Sequence, residues 1–349
     1  MTLELTGYLG ICLLTLLSTL MPKNILTIAL MFVAIVVYMG IVRFSGWDYD
    51  MYLYATMLHA NLDFSLDNIY YVREFVYWLG MPLLFDQTGD EVWTFIITDI
   101  VWVSFIFYAV LNKKNDRNIP FFCIPFMVCF FPLLMGYENI YRQFLSSMMV
   151  LFAFYGFRNK YIIYVLGMLA LFIHNSAIIY LPLLYLYSAR RSSSRDKLNP
   201  IQLVIFVFTF LVMIGGVYYS SLGDSELAKS SNSTGISLGP AYAALFTLFF
   251  LLSVFMSKFN LKNMIRDYAY ILYAFISFLI VFPVLGGAQG ERVGMMLLII
   301  IIPMFIADFD RLFKDPALRW VSRLAFVLLG LAPTFLFSSA FNFLKTASS

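Results

Sequence analysis

Residues 161–189 read YIIYVLGMLALFIHNSAIIYLPLLYLYSA, and the reading of the whole chain turns on them. The stretch contains no Asp, Glu, Lys or Arg, yet Arg158 and Lys160 precede it and Arg190, Arg191, Arg195 and Lys197 follow it. A helix needs about 20 mostly apolar residues to cross a bilayer. This stretch is too long for one ordinary span and short for two. Loops rich in Lys and Arg stay on the cytoplasmic side, so both ends belong on that side and the segment must go out and come back. His174 and Asn175 interrupt its middle. The pattern predicts two short helices meeting near His174, or a re-entrant pair.

Working outward, further apolar runs of spanning length lie at 5–20, 25–42, 92–111, 119–136, 140–157, 201–219, 240–257, 267–286, 291–307 and 322–343. With the helix pair this predicts about twelve membrane segments, both termini outside, in one all-α transmembrane domain over 1–349. Composition agrees. Of 349 residues 62% are apolar and 12% charged, against roughly 25% charged in soluble proteins, and mean hydropathy is +0.84. A single globule of this size cannot hide that much apolar side chain. A soluble enzyme, a disordered chain and a disulfide scaffold are excluded. Cys12, Cys123 and Cys129 fall in apolar stretches, are odd in number and lack metal-ligand spacing. The first apolar run has no basic residue before it, only Glu4, so it is not expected to be a cleaved signal.

The net charge of +3 matters less than its distribution. The connectors at 112–118, 158–160, 190–199, 258–266 and 308–323, with Lys23, carry 17 of the 23 basic residues. The opposite side carries six: Arg43, Arg73, Arg142, Lys229, Arg292 and Lys345. Its main segment, 43–91, mixes acidic residues with Trp, Tyr and Phe and contains the run 75–85, too short to span and read as an interfacial or re-entrant helix. Residues 220–239 read as a polar outer loop.

Four arginines therefore stand against the charge pattern at the outer edge: Arg43, Arg73, Arg142 and Arg292. An ionisable group in or beside a span is costly and is by default a functional hypothesis, although pairing with a carboxylate or reaching for lipid phosphate would also account for each one. Arg142, in Tyr141-Arg142-Gln143, and Arg292, in Glu291-Arg292, begin spans, where unpaired N–H groups favour anions. Arginine adds a fork suited to phosphate. His174, with Asn175 and Ser176, sits at the expected outer turn with an acid–base range suited to a base or hydrogen-bond donor. Asp48, Asp50 and Tyr52 form a carboxylate–aromatic cluster suited to sugars, or simply anchored at the interface. Glu74, like Glu291, neighbours an arginine and could orient it. Asp99, deep in its span, is expected to hydrogen-bond within the bundle. No phosphate-binding Gly-rich loop, metal-ligand cluster or nucleophile elbow is present, and the inner loops are too short for a nucleotide-binding domain.

The arrangement Arg43…Asp48-Tyr-Asp50-x-Tyr52, then Glu74, Tyr141-Arg142-Gln143, Phe172-Ile-His174-Asn-Ser176-Ala177 and Glu291-Arg292 resembles EpsG-like, Wzy-type polysaccharide polymerases over about residues 40–310. The resemblance implies a GT-C-like glycosyltransferase of the bacterial inner membrane. It would join oligosaccharide repeat units carried on undecaprenyl diphosphate at the periplasmic face, for O-antigen, capsule or exopolysaccharide, with no metal, nucleotide or other cofactor. His174, Arg142 and Arg292 would be catalytic. Arg43, Arg73, Arg142 and Arg292 would hold the diphosphate. Asp48, Asp50, Tyr52, Glu74, Tyr141, Gln143, Asn175, Ser176 and Glu291 would bind sugar or support the site. His174 is the preferred base, with Asp48, Asp50 and Glu74 as alternatives. Expected partners are the lipid-linked oligosaccharides, the bilayer, a chain-length regulator and a flippase, and no nucleic acid. Three other functions compete. An O-acyltransferase would need a cytoplasmic donor to reach His174 across the bilayer. A lipid-linked oligosaccharide flippase would line a long central cavity with charge. An O-antigen ligase usually carries its large outer loop late in the chain.

Overall fold

The computed structural model describes residues 2–47, 49–60, 69–112, 118–192, 200–223, 239–285, 287–336 and 344. Among them all regular structure is helical. The first half comprises α1 (Leu3–Ser18), α2 (Ile25–Phe44), α3 (Tyr49–Met57), α4 (Ile69–Arg73), α5 (Phe75–Thr88), α6 (Glu91–Leu111), α7 (Cys123–Cys129), α8 (Phe131–Glu138) and α9 (Tyr141–Gly156). The second comprises α10 (Lys160–Ile173), a 3-10 turn (Asn175–Tyr180), α11 (Leu181–Ser192), α12 (Pro200–Gly223), α13 (Gly239–Met256), α14 (Leu261–Asp267), α15 (Ala269–Leu285), α16 (Gly287–Asp310) and α17 (Pro316–Leu336).

Among the described residues six helices are long and apolar enough to cross a membrane: α2, α6, α12, α13, α16 and α17. A seventh results if α14 and α15, bent by 89° at Tyr268, count as one span. Their outward faces carry bare hydrocarbon, such as Val204 at 68% and Leu329 at 76% exposure. Water would tolerate no such belt, and the protein is an integral membrane protein. The core runs through α7, α8, α9 and α16, where Leu297 to Ile302 are each 2% exposed or less. Helix starts follow local chemistry. Thr2 caps α1 through Leu5 N–H at 3.2 Å, Asn24 and Thr27 form a capping box on α2, and Asp90 caps α6 through Trp93 N–H at 3.0 Å.

Two expected spans come out differently. The run 119–136 is two short buried helices broken at Phe130, which is extended. Pro132 has no N–H to give the carbonyl of Val128. Tyr137 OH reaches that oxygen instead at 3.3 Å, and Tyr8 OH takes the neighbouring Cys129 carbonyl at 2.7 Å. Broken backbone survives in an apolar interior only when re-satisfied in this way. The last span begins at Pro316 rather than 322, and residues 337–343 lie outside those described. Several remaining helices, α1, α9, α10 and α11 among them, have 16 or fewer residues, which is why six or seven helices reach full spanning length rather than twelve.

The segment 161–189 breaks where the sequence suggested. His174 is extended (φ −158°, ψ 133°). Its own N–H closes α10 on Ala170 O at 3.0 Å. Its side-chain Nδ1 accepts the N–H of Ser176 at 3.1 Å, so one residue ends the first helix and caps the turn that follows. The expected helix at 75–85 is present as α5. Of the polar loop at 220–239, residues 224–238 lie outside those described, as does Asp48.

Candidate active site

Glu74, between α4 and α5, is buried, and its carboxylate gathers three elements. Oε2 accepts from Nη1 of Arg142, the second residue of α9. Oε1 accepts the N–H of Asn175 at 3.4 Å and lies 3.6 Å from Nε2 of His174. Burial pushes the Glu74 carboxyl above the usual carboxylate range, against the pull of Arg142. The Arg142 guanidinium sits over the Trp78 ring at 4.7 Å, Tyr54 at 5.4 Å and Tyr77 at 5.9 Å. An aromatic cage of this kind holds a desolvated cation in place. The Arg142 side chain keeps 13% of its surface accessible.

The second half of the cluster is looser. Arg292 lies in the second turn of α16, with Nη2 3.9 Å from Oδ2 of Asp50 on α3, and both side chains are about a third exposed, 30% and 27%. The charges of Arg292 and Arg142 both act on Asp50 and on Tyr54, so the two arginines face one neighbourhood. Burial nonetheless raises the Asp50 carboxyl above its ordinary range. The charges of Arg142, Arg292 and Arg73 also reach the His174 ring. Because a backbone N–H donates to Nδ1, the neutral ring carries its proton on Nε2, the edge turned toward Glu74.

The remaining sequence candidates divide. Asn175 and Ser176 belong to the cluster, Asn175 through its N–H and Ser176 through a 2.8 Å contact of its hydroxyl with Nδ1 of His174. Arg73, the exposed last residue of α4, borders it. Glu291 ties α16 to α13, accepting the N–H of Gly239 at 3.2 Å. Gln143 is buried in α9. Tyr52 is exposed on α3, and its neighbour Tyr54 is the residue that meets Arg142.

Arg43 stands apart from the anion-facing group in which the sequence placed it. Its guanidinium is buried and chelated by Asp99, through Nε–Oδ2 at 2.6 Å and Nη2–Oδ1 at 3.1 Å. Nη2 also donates to the carbonyl of Tyr137 at 3.0 Å. Tyr141 OH and Trp102 Nε1 complete the Asp99 shell at 2.8 and 2.7 Å. This network pins the last turn of α8 and the first residue of α9 on either side of the break at 139–140, and so fixes where Arg142 emerges.

A family model described as the EpsG family matches residues 25–347. No curated protein and no solved structure matches the chain.

Proposed function

The chain belongs to the EpsG family, a family of Wzy-like polymerases, and on that premise we propose that it extends a polysaccharide by transferring a glycan from a lipid diphosphate to a second lipid-linked unit. The donor and acceptor are oligosaccharide repeat units on undecaprenyl diphosphate, met at the periplasmic face of the bacterial inner membrane. We further propose that the shorter helices bring the membrane segments to about twelve, in a GT-C-like bundle.

One observation carries this reading: Arg142, from α9, lies over the Tyr54 ring at 5.4 Å and Arg292, from α16, lies 3.9 Å from Asp50, four residues earlier on α3, with His174 Nε2 3.6 Å from the Glu74 carboxylate that binds Arg142. In the transfer, the acceptor hydroxyl oxygen bonds to the anomeric carbon as the bond from that carbon to the diphosphate oxygen breaks. The electron pair leaves on the diphosphate, and direct displacement inverts the anomeric centre. Preorganised donors aimed at that growing charge supply the electrostatic stabilisation that such a step requires. Arg142, caged and braced by Glu74, is the firmly held donor; Arg292 is the more exposed one, with an ion pair at 3.9 Å to Asp50, and Arg73 borders the approach. His174, whose Nδ1 lone pair is used by Ser176, orients a substrate hydroxyl or diphosphate oxygen through Nε2–H.

The deciding experiment is deletion of the gene with recovery of the surface glycan and the lipid-linked pool. Loss of a polymerase leaves single repeat units attached at the surface. Lipid-linked glycan that accumulates unattached would mark a ligase instead and overturn the reading.

A further inference from the structure

The two arginines are held in contrasting ways. Glu74 is buried and hydrogen-bonded at both oxygens, by Arg142 on one and by the Asn175 N–H on the other, with His174 Nε2 3.6 Å away. Asp50 meets Arg292 at 3.9 Å, an ion pair without the 2.7–3.2 Å approach of a hydrogen bond. A pair with side chains about a third exposed and no close approach contributes little. A diphosphate offers several charged oxygens to the arginine fork, where the Asp50 carboxylate has two and brings Oδ2 no nearer than 3.9 Å.

We propose that Asp50 is a placeholder anion on Arg292: an incoming diphosphate displaces its carboxylate, and the released carboxylate becomes the base that takes the acceptor's proton. The inference rests on the transfer reading above. Glu74 is unsuited to the task, because protonating it would release Arg142. Asp50 is held by no such hydrogen bond to Arg292, and burial makes its carboxyl hold a proton more firmly than an ordinary aspartate does, which favours a base over a mere counter-ion. The acceptor O–H proton moves to an Asp50 oxygen, and the O–H electron pair becomes available for the new C–O bond. The pair of the broken C–O bond departs on the diphosphate beside Arg292 and Arg142. When the lipid diphosphate leaves, Asp50 gives its proton to water and returns to Arg292. The mechanism couples the two events, since the base is free only while a donor occupies the arginine.

The test uses the purified full-length protein in detergent with farnesyl diphosphate as the probe, and cells carrying each variant as their only copy. Arg292→Ala should weaken probe binding roughly 10- to 100-fold, the worth of a charge-assisted contact. Asp50→Asn should tighten binding about two- to fivefold, by removing a competing, partly exposed ion pair, while cellular polymer formation falls roughly 10²- to 10⁴-fold. Asp50→Glu, which keeps the charge at a new reach, should lose turnover without tightening binding. Probe binding that is unchanged or weaker in Asp50→Asn overturns the placeholder, and normal polymer from Asp50→Asn overturns the base. Wild-type binding indifferent to Arg292→Ala would instead sink the anion site itself, and with it the function on which the inference rests.

Discussion

Arg43 and Asp99, 56 residues apart in the chain, meet inside the bundle with Nε 2.6 Å from Oδ2 and neither side chain more than 1% exposed. Removing one partner of such a pair leaves a buried charge without compensation, a loss of about 3–5 kcal/mol, whereas replacing both with apolar residues is often far milder. Asp99→Ala and Arg43→Ala should therefore each lower the thermal unfolding midpoint of the purified protein sharply. Arg43→Met combined with Asp99→Leu should recover much of the loss. A double variant as unstable as either single one would mean that the hydrogen bonds to Tyr137, Tyr141 and Trp102, not charge compensation, dominate.

Arg142→Ala should abolish polymer while the protein still inserts, since losing one transition-state donor costs roughly 2.7–4 kcal/mol. Arg142→Lys should rescue poorly: the Glu74 contact and the three aromatic faces fit a planar guanidinium. Trp78→Ala should give a partial defect, on the order of 0.5–2 kcal/mol for one cation–π contact. Polymer length on gels, against membrane protein level by blotting, reads all three.

The break at His174 was legible because His174-Asn175-Ser176 interrupts an apolar run flanked by basic residues on both sides. The break at Phe130 was not, since hydropathy alone carries the reading straight across Pro125 and Pro132. Arg43 and Arg142 looked alike, each an arginine at the outer edge of a span. What separates them is the partner the fold supplies, Asp99 for one and Glu74 for the other. Glu74 read as a companion of its neighbour Arg73, and its pairing with Arg142 across 68 residues is a tertiary fact. Tyr77 and Trp78 read only as part of the apolar run 75–85, because the cation they enclose lies far along the chain.

Glu74 sets an acid limit on activity. Its carboxyl titrates above the ordinary range because burial outweighs Arg142. As pH falls through that raised value Glu74 protonates and Arg142 loses its brace. The sign for stability is opposite. Between the ordinary and the raised value the folded state holds a proton that the unfolded chain does not, so this group adds stability as pH falls and withdraws it as pH rises. Asp50, also raised, acts in the same direction. Activity should therefore disappear on acidification before the fold does. Initial rates and unfolding midpoints measured in the same buffers test this, and simultaneous loss of both would refute it.

The charge distribution predicts that residue 193 is cytoplasmic, on the same side as 112–118 and 308–321. In a background with its cysteines replaced, Ser193→Cys should resist an impermeant thiol reagent in intact cells and react after permeabilisation. Reaction in intact cells would invert the orientation and put the His174 turn on the wrong side for a periplasmic donor.

His174 separates proton transfer from orientation. Its Nδ1 accepts the Ser176 N–H at 3.1 Å, and its Nε2 faces Glu74 at 3.6 Å. With Nδ1 engaged as an acceptor, the ring presents an N–H at Nε2 rather than a lone pair. His174→Ala removes that donor, the contact near Glu74 and the cap of the turn at Asn175–Tyr180, and should lose most activity. His174→Gln keeps a side-chain N–H of similar reach and an oxygen able to cap, and should retain appreciable polymer. A base requires a titrating nitrogen, which glutamine lacks. If His174→Gln were as inactive as His174→Ala at equal membrane level, the imidazole would have to shed its Ser176 contact during turnover and take the proton itself. Asp50→Asn would then retain its polymer.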